Sequence, residues 1–269
     1  MGWPSMSAEL DLATYLRRIG LDAPPAVNLA GLETLHLAHL QHIPFENLDV
    51  QLGRPIRLDL ASLQAKLVQG RRGGYCFEQN RLFTTVLEAL GFPVITCEAR
   101  VRRGATRLLP RTHMMLLVEL EGRTWLCDVG FGGDGILLPV PLDGEERVQF
   151  LNCYRVAPEG PLCVLQTLRL GVWEDLYAFE PAARFPVDYE MANHYTSTHP
   201  ESGFVKTLTA QICSPEARRY LRNLTYSEAR GDEVEGRELA PEEVAPLLRE
   251  AFGIEVPRGP HQLVNGLRI

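Results

Sequence analysis

A change of texture near residue 92 constrains the fold of this chain more than any other feature of its sequence. Before it, apolar residues recur every three or four positions, as in residues 10–19 and 32–40, which is the spacing of helices. After it, up to Glu180, short runs rich in β-forming residues alternate with glycine, proline and charged turns. Several short strands in series are typical of an antiparallel barrel or sandwich. The sequence therefore predicts an α+β protein in which helices precede a sheet.

The same patterns give bounds for the individual elements. Further helices are predicted at residues 59–69, 76–90 and 240–252. Six central strands are predicted at residues 94–101, 114–120, 123–129, 148–156, 162–170 and 173–179. Two more strands are predicted near residues 208–213 and 220–226.

Composition excludes several classes of partner. The net charge is −7, so a nucleic acid or an anionic membrane has no electrostatic support. Nowhere do about 18 apolar residues follow one another, as a transmembrane helix needs, and residues 1–6 lack the pattern of a signal peptide. We therefore expect a cytoplasmic protein that binds small molecules, with an oligomeric state that the sequence leaves open.

No metal site is predicted. The six cysteines include no C-x-x-C pair, which argues against structural zinc. His36, His39 and His42 recur every three residues, but the third is rotated off the face of the first, and Pro44 follows closely. Ordinary packing of these histidines is therefore favoured over a metal site.

A cysteine directly after two glycines is the first candidate for chemistry. Cys76 follows Gly73 and Gly74 and begins the predicted helix at residues 76–90, where unpaired backbone N–H groups favour a thiolate. Cys76 and Asn80 share one face of that helix. The same pattern also fits a cysteine that only packs in the core, so both interpretations stay open at this point.

A predicted hairpin brings two further candidates together. Its strands flank Gly122, which suits a two-residue turn. If Leu120 pairs with Arg123, then His113 pairs with Gly130 and becomes a diagonal neighbour of Asp128 on one face, so the carboxylate can reach the imidazole. Together with a cysteine they would supply the nucleophile, base and orienting group of a triad. A hydrogen-bonded core histidine and a turn aspartate are the alternative interpretation.

A glycine-rich loop follows Asp128. Residues 130–135 read GFGGDG, and glycines allow a ligand to approach backbone N–H groups closely. The loop matches neither the dinucleotide fingerprint nor the P-loop pattern. It is interpreted either as a cradle for a phosphate or pantetheine, or as a flexible turn.

These blocks, in this order, resemble those of the arylamine N-acetyltransferase family. The family has an R-G-G-x-C block, a T-H block and a D-V-G-F-G block, and here they stand at residues 72–76, 112–113 and 128–132. The segments IPFENL at residues 43–48 and NHYTSTHPESGF at residues 193–204 agree as well. The similarity therefore spans nearly the whole chain.

The resemblance implies a fold and an activity. The fold would be an N-terminal helical bundle (residues 1–91), a central antiparallel β-barrel (92–187) and a C-terminal α/β lid (188–269), with a cysteine-protease-like catalytic core. The activity would be ping-pong transfer of an acetyl group from acetyl-CoA to arylamines, arylhydrazines or N-hydroxyarylamines, through an acetyl-cysteine. Acetyl-CoA would be a co-substrate, and no cofactor would be bound permanently.

The resemblance also implies residue roles. Cys76 would be the nucleophile, His113 its base and Asp128 the orienting group. Contacts with coenzyme A would come from Thr112, Gly130, Gly132 and Gly133. The acceptor pocket would be lined by Phe45, Val101, Phe131 and Phe204.

Rival activities use the same three side chains. One is an amide synthase that takes its acyl group from a carrier-bound thioester, another is a Cys-His-Asp hydrolase, and a third is a binding protein without catalysis. The arginines at 100, 102, 103, 107 and 111 either meet the coenzyme A phosphates or belong to a solvated loop. Cys127 stands where the family more often has an aliphatic residue. We expect it to face away from Asp128, buried and unreactive.

Overall fold

Among the described residues, helices form most of the first part, strands form the middle, and the last third contains both. The computed structural model describes residues 9–256 and the backbone of residues 263–264 and 267–268. The helices are α1 (Leu12–Arg18), α2 (Leu29–His42), α3 (Leu48–Gln51), α4 (Leu60–Leu63), α5 (Cys76–Leu90), α6 (Pro186–Thr198), α7 (Gly203–Lys206) and α8 (Val244–Phe252). A π-helical segment, Gln64–Gln69, continues α4, and a 3₁₀ turn, Pro241–Glu243, precedes α8.

The strands form two large antiparallel sheets and one small one. The strands are β1 (Phe45–Glu46), β2 (Val94–Val101), β3 (His113–Leu120), β4 (Arg123–Cys127), β5 (Val140–Pro141), β6 (Arg147–Gln149), β7 (Asn152–Glu159), β8 (Leu162–Arg169), β9 (Val172–Phe179), β10 (Thr209–Cys213), β11 (Arg218–Arg222), β12 (Thr225–Arg230), β13 (Glu233–Glu238), β14 (Leu263–Val264) and β15 (Leu267–Arg268). The central sheet has the order β5-β4-β3-β2-β9-β8-β7-β6 and closes almost completely into a barrel. The second sheet has the order β1-β10-β11-β12-β13, and β14 pairs with β15.

This architecture confirms the predicted α+β class and, of the two predicted alternatives, the barrel. Helix α5 and strand β2 have the predicted bounds. Gly91 ends α5 in the left-handed region at φ 91°, which costs a glycine little. At the other end, the Glu78 carboxylate accepts a hydrogen bond from the Tyr75 N–H at 3.1 Å, which satisfies one of the free donors before the first turn.

Two predicted strands are wrong in their extent. The strand predicted at residues 148–156 is β6 and β7 with a turn between them, and the strand predicted at 220–226 is the hairpin of β11 and β12. The turns contain Phe150 at φ 56° and Asn223 at φ 52°. The turn residues Phe150 and Leu151 carry no turn signal, whereas Asn223 tolerates left-handed backbone, a signal that the sequence interpretation did not use.

The last strand of the second sheet was not predicted. All six residues of Glu233–Glu238 are exposed, and most are charged, so the strand has no apolar face that could produce a period-two pattern. It pairs with β12 along its whole length at the edge of the sheet. Tertiary pairing, and not local preference, makes this segment extended.

Strand β3 is buried on both faces and joins two cores. Met114 and Leu116 pack in a core shared with the N-terminal helices, whereas Met115 and Leu117 pack inside the barrel. Because successive side chains of a strand point to opposite faces, the His113 side chain shares the barrel-facing side. A third core lies beneath the second sheet and packs against α8. The β3 strand therefore carries its first residue to the boundary between helices and barrel.

Candidate active site

Cys76, His113 and Asp128 come together at the N-terminal end of α5. The His113 Nε2 atom lies 2.6 Å from Asp128 Oδ2, and the Cys76 side chain lies near enough to the same imidazole to raise its pKa. The Cys76 Sγ also lies 3.7 Å from the Thr112 carbonyl oxygen. All three side chains are buried. Since Nε2 faces the carboxylate, Nδ1 is the ring nitrogen left for the sulfur.

The hairpin places His113 and Asp128 in this arrangement. Its ladder pairs Leu120 with Arg123, as the sequence predicts, and both turn residues have positive φ, which is typical of a tight hairpin. The ladder ends at Leu116 and Cys127, so the predicted pairing of residues further along, including His113 with Gly130, is wrong. The chain leaves the ladder there because the Asp128 carboxylate turns back to bond the Gly130 N–H.

The Asp128 carboxylate is held by three donors. Oδ2 accepts from His113, and Oδ1 accepts from Asn80 Nδ2 and from the Gly130 N–H, each at 2.9 Å. Burial by itself would raise the pKa of Asp128, but the charge of His113 and these hydrogen bonds lower it below its ordinary value. Asp128 is therefore an anion within a nearly dry site.

The charge of Asp128 also sets the protonation of His113. Burial would lower the pKa of His113, but the adjacent carboxylate, its hydrogen bond and the Cys76 side chain together raise it from 6.5 to about 10. At neutral pH the ring is therefore an imidazolium. The site therefore places a positive charge beside the Cys76 side chain.

His36 is a site residue that the sequence interpretation missed. Its Nε2 accepts a hydrogen bond from the Asp128 N–H at 3.0 Å, and its Nδ1 donates to the Leu137 carbonyl at 2.9 Å. One nitrogen accepts and the other donates, so the ring is neutral with its proton on Nδ1. Burial lowers its pKa to about 4, which agrees with this state. Its place on the buried face of α2 was the only sequence signal.

Asn80 is the second missed residue. Its side-chain amide donates to Asp128 and to the Met114 carbonyl, at 2.9 and 2.7 Å, and its carbonyl accepts from the Val129 N–H at 3.1 Å. It therefore ties α5 to both strands of the hairpin. The signal was available, because Asn80 follows Cys76 by four residues and shares its helix face.

The glycine loop at residues 130–135 packs against the protein itself. A Cβ on Gly130 would lie 2.7 Å from the Cys76 Cα, and one on Gly133 would lie 1.9 Å from a ring carbon of Tyr220. Gly132 has φ 89°, in the left-handed region. The Gly133 N–H donates to the Gln211 side chain. These glycines are thus needed for packing and backbone shape, whatever ligand the loop meets.

The four predicted acceptor-pocket residues fall into two groups on either side of the site. Phe45 and Phe204 lie 5.8 Å apart between ring centroids, and Phe204 lies 5.6 Å from Tyr75, the residue before Cys76. Phe131 lies 5.2 Å from the His113 ring, and Val101 pairs with Tyr177, whose ring is 4.9 Å from His113. Tyr177 was not among the predicted residues.

Cys127, His39 and His42 have structural surroundings. Cys127 packs in the core shared with the helices, on the opposite side of its strand from Asp128, as predicted, and burial raises its pKa well above the ordinary value. The rings of His39 and His42 bond to different partners, Gln79 and the Ala38 carbonyl. Within residues 9–256, no three His, Cys, Asp or Glu side chains are grouped to hold a metal ion.

The fold and this site define the class of protein. Its scaffold combines helices and sheets and resembles that of an enzyme. A buried cysteine, histidine and aspartate lie together where the helices meet the barrel. The N-acetyltransferase family profile matches residues 28–260. The arylamine N-acetyltransferase of Escherichia coli (strain K12) is 40% identical over 255 residues, which cover 92% of this chain and 90% of that protein. The chain therefore belongs to the arylamine N-acetyltransferase family.

Solved structures agree with this assignment. The arylamine N-acetyltransferase of Nocardia farcinica superposes with a TM-score of 0.87 at 41% identity and covers 95% of this chain and 93% of that one. The Mycobacterium marinum enzyme, solved in complex with CoA, superposes with a TM-score of 0.86 at 36% identity, covering 91% and 93%. This likeness confirms the predicted fold class, including its cysteine-protease-like core. No helix among the described residues is long and apolar enough to cross a membrane.

Proposed function

We propose that this chain transfers an acetyl group from acetyl-CoA to arylamines through a thioester on Cys76. The observation that carries the proposal is the contact of Cys76 with an imidazole that a buried carboxylate keeps charged. The family assignment supports the acceptor class, and the CoA complex of a relative supports the donor. Acetyl-CoA would be a co-substrate, as predicted.

In the first half-reaction, the Cys76 thiolate attacks the acetyl carbonyl carbon of the donor. Backbone N–H groups in the first turn of α5 supply donors for the oxyanion that forms. The bond from carbon to the coenzyme A sulfur then breaks, and His113 gives its Nδ1 proton to the departing thiolate. The products are acetyl-Cys76, neutral His113 and free CoA.

In the second half-reaction, the neutral amine attacks the acetyl-Cys76 carbonyl carbon. His113 takes a proton from the amine nitrogen, and the bond from carbon to Cys76 Sγ breaks, which restores the thiolate and the imidazolium. An arylamine is a weak base and arrives unprotonated, so an apolar slot serves it well. We assign that slot to Phe45, Val101, Phe131 and Phe204, and the donor contacts to Thr112, Gly130, Gly132 and Gly133.

The broader organisation is proposed on the same basis. Residues 1–91 would carry the nucleophile, residues 92–187 the base and orienting group, and residues 188–269 a lid over the site. Strand β1 joins the first of these segments to the third, since it pairs with β10 of the second sheet. The protein would act in the cytoplasm on small molecules, without nucleic acid or membrane partners.

The decisive experiment is the intact mass of the protein after mixing with acetyl-CoA. We expect one acetyl adduct in the wild type, discharged by an arylamine, and none in Cys76→Ala. Cys153→Ala is the matched control, because Cys153 is partly exposed on β7, away from the site, and should label like the wild type. Rapid loss of the adduct in water alone would identify a hydrolase, and labelling only from a carrier-bound thioester would identify an amide synthase.

A further inference from the structure

A groove of about 480 Å³ lies between β2, β9 and the loop of residues 102–112. Four arginines line it: Arg100, Arg102, Arg107 and Arg111. Only two carboxylates, Asp175 and Glu180, line it with them. The whole chain carries a net charge of −7, so a concave surface with an excess of positive charge contrasts with the rest of the molecule.

Two of these arginines are neutralised within the structure. Arg102 bonds to Glu159 and Asp175, at 2.6 and 3.1 Å, and Arg111 lies 3.2 Å from Glu180. Carboxylates therefore compensate the charges of both arginines, which contribute mainly to the shape of the groove.

The other two arginines have no carboxylate partner in residues 9–256. The Arg100 guanidinium donates to the Leu109 carbonyl at 2.7 Å, which uses one of its five N–H donors and leaves its charge uncompensated. Arg107 is exposed and makes no hydrogen bond or ion pair within the described part of the chain. Two guanidinium groups without an ion-pair partner among the described residues lie on one groove, and an anion would stabilise this arrangement.

The groove adjoins the proposed reaction centre. Val101, one of its lining residues, pairs with Tyr177, which contacts the His113 ring. Arg111 directly precedes Thr112, whose carbonyl lies next to the Cys76 sulfur. A reactant with its reacting atom at Cys76 therefore has this groove beside it.

The loop also faces the C-terminal segment. The pKa of Glu201 is lowered first by its bond to Lys206 and, more weakly, by the charge of Arg107. Glu201 directly precedes Ser202, which caps the short helix that carries Phe204. The charge of Arg107 is therefore within electrostatic range of the segment that leads to Phe204.

We propose that this groove is an anion subsite, in which Arg100 and Arg107 bind the negatively charged group of a reactant. The inference rests on the proposed acetyl transfer. A phosphate of coenzyme A and the carboxylate of an acidic arylamine both offer the oxygen pair that a guanidinium binds. Substitutions separate these two sources.

The experiment measures KM for four reactants in the full-length protein. The donors are acetyl-CoA and uncharged 4-nitrophenyl acetate, and the acceptors are 4-aminobenzoate and uncharged 4-methoxyaniline. In Arg107→Gln we expect KM for the anionic reactant to rise roughly fivefold relative to its uncharged counterpart. In the double variant Arg100→Gln/Arg107→Gln, the same relative KM should rise roughly tenfold or more. Arg107→Lys keeps the charge, so most of the KM increase should be absent in that variant.

Each outcome has one meaning. If KM rises only for acetyl-CoA, the subsite binds a phosphate. If KM rises only for 4-aminobenzoate, the subsite binds a carboxylate. Arg249→Gln removes the same charge from α8, outside the groove, and should leave all four values unchanged. Equal KM changes for charged and uncharged reactants in the double variant, or none, would overturn the subsite. Failure of the proposed function is separate, since the wild type would then form no acetyl adduct.

Discussion

At the scale of single residues, the site depends on a series of contacts, each of which positions the next side chain. His36 accepts the backbone N–H of Asp128, Asp128 bonds the His113 ring, and that ring contacts Cys76. Asn80, on the helix that begins with Cys76, donates a hydrogen bond to the second carboxylate oxygen. Removing a charge in the middle of this series should therefore affect the reaction rate far more than the binding of reactants.

Asp128→Asn tests that expectation. The amide keeps the size of the side chain but removes the charge that raises the pKa of His113, so less imidazolium forms beside Cys76 at neutral pH. We expect kcat/KM for acetyl transfer to fall about a thousandfold or more, by comparison with other triads. Steady-state kinetics measures this, with Asp143→Asn on the surface as control. A rate within tenfold of the wild type would contradict the orienting role.

At the scale of elements, the glycine loop, α5 and the two strands of the hairpin are packed too closely for an additional carbon atom. The loop is also held from outside: the buried Arg218 on β11 donates to the carbonyls of Gly133 and Gly135, and Arg169 on β8 lies 2.6 Å from the buried Asp134 carboxylate. The loop therefore joins the barrel to the second sheet. Its shape follows from both, as well as from its own glycines.

Gly130→Ala should reveal how closely these elements pack. The added Cβ would meet the Cys76 backbone and the Asn80 amide at 2.7 and 2.6 Å, and neither can move without breaking the site. We expect a loss of about 3 kcal/mol in the free energy of unfolding, measured by urea denaturation, with lower activity.

Gly203→Ala is the matched control for this prediction. No atom lies within 4 Å of its Cβ position, and its φ is not in the left-handed region. We expect that substitution to change stability by no more than about 1 kcal/mol, in the stabilising direction. Equal urea midpoints for the two variants would show that Gly130 is not tightly packed.

At the scale of the whole molecule, the first and last thirds of the chain meet at β1. Phe45 and Glu46 pair with β10, and Phe45 forms an isolated bridge with Gly74. The buried Glu46 carboxylate accepts from Arg72 at 2.7 Å. The segment of residues 43–48 thus places the glycines before Cys76 against the second sheet, although the sequence separates these parts by more than a hundred residues.

The buried histidines give the whole molecule a defined stability profile with pH. Burial lowers the pKa of His36 to about 4 and that of His39 to about 3. The unfolded chain takes up protons below about pH 6.5 that the folded chain does not, so stability present above 6.5 is lost as the pH falls. The raised pKa of His113 acts in the opposite sense: its contribution is complete below 6.5 and is lost as the pH rises through about 10.

We therefore expect the free energy of unfolding to be largest near neutral pH. As the pH falls from 7 to 5, each of the two neutral histidines should lower the free energy of unfolding by about 2 kcal/mol. Urea unfolding from pH 5 to pH 9 measures the profile. In His39→Gln, the free energy of unfolding should fall less from neutral to acid pH, and in Asp128→Asn it should fall less from neutral to alkaline pH. His194→Gln is the control for loss of an exposed histidine. A stability that rises from pH 7 to pH 5 would contradict the neutral, buried state.

Local sequence determined the parts of the site that lie close together along the chain. Glycines 73 and 74 before Cys76 and the apolar period after it fixed the start of α5, and Gly91 fixed its end. The turn at Glu121 and Gly122 fixed the hairpin register, which brings His113 and Asp128 within reach. Family resemblance then gave each of the three its proposed role.

Tertiary structure alone decided what lies far apart along the chain. The contact of His36 with Asp128 spans 92 residues, and the strand at Glu233–Glu238 exists only because β12 is there to pair with it. The turn at Phe150 is held in left-handed backbone by the strands that it connects. Burial and pairing determine these features, and a local pattern cannot encode them, because their free energy comes from neighbours that meet only in the folded chain.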